Sequence, residues 1–164
     1  SKLSPIDYLR SIDDTLYAGF NLLVADKRRL AYLSNEGGEL RELPAGIYGL
    51  SNATLDAPWE KVRRSKARLQ VLIEQGDVNQ TQLLRLLDDR EKGPLNEVRP
   101  GRLPYATAHA ITAPFIVLPD YGTRSSSIVQ MRSDGRCEFL ERRFDASGKQ
   151  SGESRMSFSA SVNR

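Results

Sequence analysis

The sequence predicts an α+β fold, with strands and helices segregated along the chain rather than strictly alternating. Strand patterns cluster at 20–52 and again at 113–159, punctuated by Gly-, Asn- and Asp-rich turns. Apolar residues at helical spacing are confined to 5–14, 58–75 and 80–89. Each of these helical stretches opens on a capping or proline signal.

In the first helix Ser4 suits the N-cap, Pro5 the first helical position and Asp7 a reciprocal cap, and Ile6, Leu9 and Ile12 follow on one face. A meander is expected next: strand 20–25, a turn at Asp26-Lys27-Arg28, strand 30–33, a turn at Asn35-Glu36-Gly37-Gly38, and strand 39–43 closed by Pro44. Residues 46–52 read as a fourth strand, whose Gly46 and Gly49 point to close approach of a backbone or ligand. Pro58 opens a long helix over 58–75 that stops at Gly76. Trp59, Val62, Leu69 and Ile73 share one face of it, and Lys61, Arg64 and Arg68 another. Asn79 caps a helix over 80–89 carrying Leu83, Leu84 and Leu87. Residues 91–104, with Gly93, Pro94, Pro100, Gly101 and Pro104, read as a long loop. Strands at 113–118, 122–132, 137–144 and 154–159 follow, with turns at Ser133-Asp134-Gly135-Arg136 and Asp145-Ala146-Ser147-Gly148, and a fraying Ser-rich tail after Phe158.

At 164 residues and 39% hydrophobic, the chain suits one domain with a buried core. A net charge of +3 permits an anionic ligand without demanding one. The cations are not interleaved with an aromatic or Gly-rich platform, so no nucleic-acid partner is expected. Cys137 stands alone, which rules out an intrachain disulfide and fits a reducing compartment. No apolar run approaches the roughly 20 residues of a membrane span, and 1–5 lacks a signal-peptide pattern. A cytoplasmic location is therefore expected. Ser1 stands where an initiator methionine would be, so the start is expected to have been processed, trimmed or to lie upstream.

Three stretches carry a family resemblance. They are Tyr17-Ala18-Gly19-Phe20-Asn21-Leu22-Leu23, the block from Gly46-Ile47-Tyr48-Gly49-Leu50-Ser51-Asn52 through Leu55-Asp56-Ala57-Pro58-Trp59 to Val62, and Tyr121-Gly122-Thr123-Arg124-Ser125-Ser126. Together with Gly135 and Glu141-Arg142 they resemble the transport and Golgi organisation 2 family, also called the NRDE family. That family opens with Met-Cys and carries an Asn-Arg-Asp-Glu motif, and neither occurs here. The resemblance implies that residues 1–164 are the C-terminal part of a single NRDE-family domain. It implies an αββα sandwich of the N-terminal-nucleophile (Ntn) hydrolase type, incomplete because the N-terminal strands are absent from this chain. The expected partners are the N-terminal segment of the same protein or another copy of the chain, laid on an apolar face left uncovered.

The family's associations imply a protein that binds or traffics a small hydrophobic or anionic ligand, related to haem or to acyl-CoA and lipid. The alternative is an Ntn-type amide hydrolase whose N-terminal Cys lies outside this chain. By analogy Asn52, beside Ser51, would donate to an oxyanion, and Arg124, beside Tyr121, would sit near the nucleophile, so the two side chains are expected to converge on one pocket. From residue type alone Asn52 reads more readily as a turn residue, and Arg124 equally as a surface ion-pair partner. Lys61, Arg64 and Arg68 read as a solvated face or as contacts to an anionic ligand, and Trp59 as a core residue. Cys137 reads as a buried, inert thiol. His109, the sole histidine, is placed in a flexible-looking segment without a matching serine motif, and one His and one Cys make no metal site.

Overall fold

A computed structural model describes residues 3–99 and 101–159. The chain divides into two compact units, Ser1–Ala57 and Pro58–Arg164.

The first unit starts with helix α1 (Pro5–Arg10), in which Ser4 Oγ accepts from the Asp7 N–H at 3.3 Å and donates back to its carboxylate. The expected extension to 14 does not form. Ser11 caps the helix, and Asp13 opens a separate 3₁₀ turn at Asp14–Leu16 because its carboxylate takes the Thr15 N–H. Strands β1 (Asn21–Ala25), β2 (Leu30–Ser34) and β3 (Glu39–Leu43) form an antiparallel sheet in that order. Strand β2 is buried on both faces. Ala31 and Leu33 meet Leu9 of α1 on one side, while Tyr32 meets Leu43 and Leu55 on the other.

The expected fourth strand at 46–52 is not one. Leu55 is drawn into the core under Tyr32, so the chain folds back as a closed loop instead of running along the sheet. Gly49 and Asp56 close that loop. The Gly49 N–H donates to Asp56 Oδ1 at 2.8 Å, and the Asp56 N–H to the Gly49 carbonyl at 2.7 Å.

The second unit opens with α2 (Glu60–Glu74), two residues later than Pro58 suggests. Trp59 stands at its N-cap without a capping side chain. The cap comes instead from Glu97, whose Oε2 accepts from the Glu60 N–H at 2.7 Å. At the far end Gly76 takes φ 69°, the Gly76 N–H reaches the Ile73 carbonyl and the Asp77 N–H the Leu72 carbonyl, a Schellman stop. Helix α3 (Gln80–Leu87) is capped by Asn79 as expected. Residues 91–99 and 101–104 are loop, with a 3₁₀ turn at Leu95–Glu97. They lead into a helix the sequence did not signal, α4 (Tyr105–Ala110), whose six residues are too few to display a period.

The strand expected at 113–118 is reduced to one bridge, Val117 to Gly122. Its backbone is engaged elsewhere: the Phe115 N–H donates to the Asp89 carbonyl and the Ile116 N–H to Thr123 Oγ1. Strands β4 (Ser125–Met131), β5 (Arg136–Phe144) and β6 (Gln150–Ser159) form a second antiparallel sheet, joined by turns in which Gly135 and Gly148 take positive φ. Ile128 and Leu140 pair across β4 and β5 and pack under Leu84 of α3. The tail beyond 159 lies outside the described residues. Among the described residues no helix is long and apolar enough to cross a membrane. The architecture is α+β.

A buried carboxylate organises the second unit. Asp89 has a side chain only 4% exposed, held by Arg64 Nε at 2.7 Å and Arg68 Nη1 at 2.9 Å, and it also accepts from the Glu91 N–H. Burial opposes its ionisation, but the hydrogen bonds from Arg64 and the Glu91 N–H, with the charges of Arg64 and Arg68, outweigh that and hold its carboxyl below the usual range. A depressed folded pKa adds stability above the unfolded value of about 3.9, and that stability is lost as the pH falls through the folded value. Melting curves should therefore show Asp89→Asn to be less stable than the parent at neutral pH, with the gap closing below about pH 4. Arg64→Ala should cost stability toward the lower end of the roughly 3–5 kcal/mol typical of a broken buried pair, since Arg68 stays in place.

Candidate functional site

The loop closed by Gly49 and Asp56 carries Ser51 and Asn52. It is tied to the sheet by a polar network rather than by a ladder. Asn21 of β1 and Tyr32 of β2 are diagonal neighbours on one face, two positions apart in register. The Tyr32 hydroxyl donates to Asn21 Oδ1 and accepts from the Leu55 N–H at 3.2 Å, and Asn21 Nδ2 donates to the Ala53 carbonyl at 3.2 Å. Ser51 is half-buried at the tip and Asn52 is exposed. The Asn52 carboxamide makes no side-chain hydrogen bond among the described residues, so its donor faces solvent on an anchored loop.

Tyr121 and Arg124 lie in the second unit, on the hairpin that leads into β4. Gly122 is required there, because a Cβ would sit 2.6 Å from the Ile116 carbonyl oxygen. The Thr123 N–H donates to that same carbonyl and the Leu118 N–H to the Tyr121 carbonyl. Tyr121 is exposed. Arg124 is exposed as well, and its guanidinium makes one long hydrogen bond, 3.3 Å to the Asp145 carbonyl, with no carboxylate partner among the described residues. Asn52 ends no strand, contrary to expectation, while Arg124 does immediately precede one.

The cationic face of α2 is not the solvated stripe its spacing suggests. Arg64 is largely buried and committed to Asp89, and Arg68 reaches the same carboxylate from a more exposed position. Lys61 differs from both. It is half-buried with no carboxylate partner among the described residues, and its Nζ donates to the Ile111 carbonyl at 3.2 Å while lying 5.2 Å from the centre of the Trp59 ring. Burial pushes its pKa below the ordinary lysine value. Trp59 is 37% exposed rather than sunk in the core, so the pair offers a cation and a ring edge to solvent together.

His109 is on α4, partly buried, with Nε2 at 3.0 Å from the Gly93 carbonyl, and not in a flexible segment. Cys137 is buried on β5. Sequence reasoning missed Asn21, Tyr32 and Asp56 as the residues that build the loop. The signal was present: all three carry polar groups inside otherwise apolar or turn-rich stretches that need partners once buried.

The family model described as transport and Golgi organisation 2 matches residues 1–146. The chain belongs to the transport and Golgi organisation 2 family. It is 32% identical over 158 residues to the transport and Golgi organization protein 2 homolog of Bos taurus, covering 87% of this chain and 57% of that protein. The Mus musculus homolog is 31% identical with the same coverage, and the Homo sapiens homolog is 32% identical over 153 residues, covering 84% of this chain and 55% of that protein. The chain thus spans little more than half the length of these relatives.

Within the family block, the structure assigns most residues to holding the loop. Gly49 and Asp56 close it, Leu55 fills the core, and Asn21 from the first stretch carries the Ala53 carbonyl. Ser51 and Asn52 are what the closed loop presents. Tyr32→Phe should therefore leave the buried Leu55 N–H and Asn21 unsatisfied, costing about 1–3 kcal/mol. Amide hydrogen exchange should accelerate over 49–56 before it does over β1–β3; equal acceleration throughout the unit would show that the hydroxyl serves the sheet and not the loop.

Proposed function

We propose that the whole protein binds or traffics a small ligand with an anionic head and a hydrophobic body, of the haem or acyl-CoA and lipid kind. Both units are read as parts of one NRDE-family domain. Lys61 is the observation that carries this reading. A half-buried ammonium with no carboxylate partner among the described residues, set beside a partly exposed indole, keeps a charge at a desolvation cost that an anionic ligand would offset, and the exposed part of the indole offers apolar surface to the ligand's body. Arg68, Arg124, Tyr121, Ser51 and Asn52 add exposed or half-exposed donors suited to carboxylate or phosphate oxygens. Arg64 serves by positioning, through Asp89. For haem, the Lys61 ammonium suits the carboxylate edge. The imidazole of His109 is taken by the Gly93 carbonyl and the thiol of Cys137 is buried, so no residue of this chain is assigned to the iron.

A second reading, an Ntn-type amide hydrolase, draws on Asn52, whose free carboxamide on an anchored loop is the type of donor an oxyanion needs. In that reading Asn52 and Arg124 each supply a donor, one from each unit. Loss of amide hydrolysis in Asn52→Ala of the whole protein, with ligand affinity unchanged, would favour it.

Lys61→Met separates a ligand contact from a packing residue. A charged lysine with a depressed folded pKa lowers stability at neutral pH, a penalty that fades as the pH rises through its folded value. Lys61→Met should therefore melt at or slightly above the parent temperature while binding hemin or a long-chain acyl-CoA roughly tenfold more weakly, a loss of about 1.4 kcal/mol. Titration of the whole protein by fluorescence quenching of Trp59 reads both ligands. Unchanged affinity for both would overturn the proposed role of Lys61.

A further inference from the structure

One buried hydroxyl in the first unit is left without a partner. Ser34 ends β2, is 1% exposed, and its Oγ makes no hydrogen bond. No surface of that oxygen is open to a water molecule either. Among the described residues no other buried side-chain nitrogen or oxygen is left this way. A hydroxyl in this state has lost its hydration and gained nothing in return, a cost that a methyl group in its place would not carry. Glu39, opposite Ser34 on β3, is turned to Arg41 at 2.8 Å. The loop between Gly49 and Asp56 closes over the other side. Ser34 shares a face of β2 with Tyr32 and stands directly opposite Asn21 of β1. Those two neighbours hold the loop, Asn21 through the Ala53 carbonyl and Tyr32 through the Leu55 N–H. Thr54 lies over the adjoining β2–β3 turn, where a Cβ on Gly37 would meet its methyl at 3.7 Å. The closed loop carries a second local cost. Asp56 takes φ 57° and is the only non-glycine at positive φ among the described residues, held there by its two bonds to Gly49.

We propose that residues 49–56 form a strap that opens while β1–β3 stay folded, uncovering a polar floor made of the Asn21 carboxamide and the Tyr32 and Ser34 hydroxyls. Both local costs belong to the closed form, and opening relieves both. Asp56 is released from the left-handed region, and Ser34 Oγ gains water or the Asn21 carboxamide beside it as a partner. The bonds that oppose opening are few. They are the side-chain contacts of Asn21 and Tyr32, the Gly49–Asp56 closure and the packing of Leu55, with no strand ladder over 46–57. Segments held in this way occupy the low-stability end of a folded protein. The device lies wholly within the first unit and does not depend on the role of Lys61 in the second.

Residue-resolved amide hydrogen exchange of the whole protein, compared with its Ser34→Ala variant, tests the strap. In the parent, the Leu55 and Asp56 N–H groups should exchange at least about tenfold faster than the amides of β2. Ser34→Ala removes the isolated hydroxyl from the closed form, so exchange at Leu55 and Asp56 should slow by about tenfold. Equal rates at the loop and at β2 in the parent overturn the proposal, since the loop would then open only with the sheet. Exchange at Leu55 and Asp56 that is unchanged or faster in Ser34→Ala overturns it too. Slowing at β2 alone makes the hydroxyl a cost to the sheet and not to the strap, and has the same consequence. Ser34→Cys supplies an independent reading, with peptide mass separating its thiol from that of Cys137. A small methanethiosulfonate reagent should modify position 34 of the folded protein at the opening rate read at Leu55. Modification no faster than the unfolding rate read at β2 overturns the proposal.

Discussion

The second unit is organised around one buried negative charge. A carboxylate as enclosed as that of Asp89 is tolerable only when its oxygens are fully engaged, and here two guanidinium groups from successive turns of α2 and a backbone N–H engage them. The consequences reach beyond the ion pair. Asp89 follows α3, so the pair fixes where α3 ends relative to α2. Its carbonyl takes the Phe115 N–H, which draws the 113–118 segment out of the sheet and leaves it a single bridge from the Tyr121–Arg124 hairpin. Phe115 then stacks edge-on against Phe144 and under Arg90. The exposed Arg124 is thus presented by a hairpin whose base is tied to the backbone carbonyl of the residue that carries the buried charge.

The first unit uses the same device with neutral groups. Tyr32 is fully buried, and its hydroxyl must find partners. It finds one in Asn21 and one in the backbone of the returning loop, so a side-chain network stands in for the ladder that a fourth strand would have made. A loop held this way keeps Ser51 and Asn52 at its tip while spending no ladder hydrogen bonds on them. In both units the polar residues that build the site are more deeply buried than those that face solvent from it.

Lys61 and the two arginines on α2 show why side-chain type and spacing alone mislead about a charged face. Positions 61, 64 and 68 are equivalent on a helical wheel. Their fates differ because Asp89 meets two of them and a backbone carbonyl meets the third. Arg64 is committed to the buried carboxylate and Arg68 reaches it from a half-exposed position, whereas the lysine has no carboxylate partner among the described residues and lies beside an indole. What distinguishes a structural cation from one able to hold a ligand is the identity of its partner.

The sequence by itself determined the family, the α+β class, the caps at Ser4 and Asn79, the stop at Gly76, the turn glycines at 135 and 148 and the buried state of Cys137, because each depends on local backbone chemistry, residue order or alternation along a single strand. Tertiary structure decided the rest. The 46–52 segment has glycines and apolar residues suited to a strand, yet Tyr32 and Leu55 bend it into a loop. The 113–118 segment is a short apolar run of the kind a buried strand shows, yet the Asp89 carbonyl takes its backbone donor. Trp59 has the spacing of a core residue, yet Glu97, 37 positions after Glu60, caps the helix, and the ring stays partly in solvent. Each of these outcomes hangs on a partner distant in sequence, and no pattern read along the chain contains the distance between such partners in space.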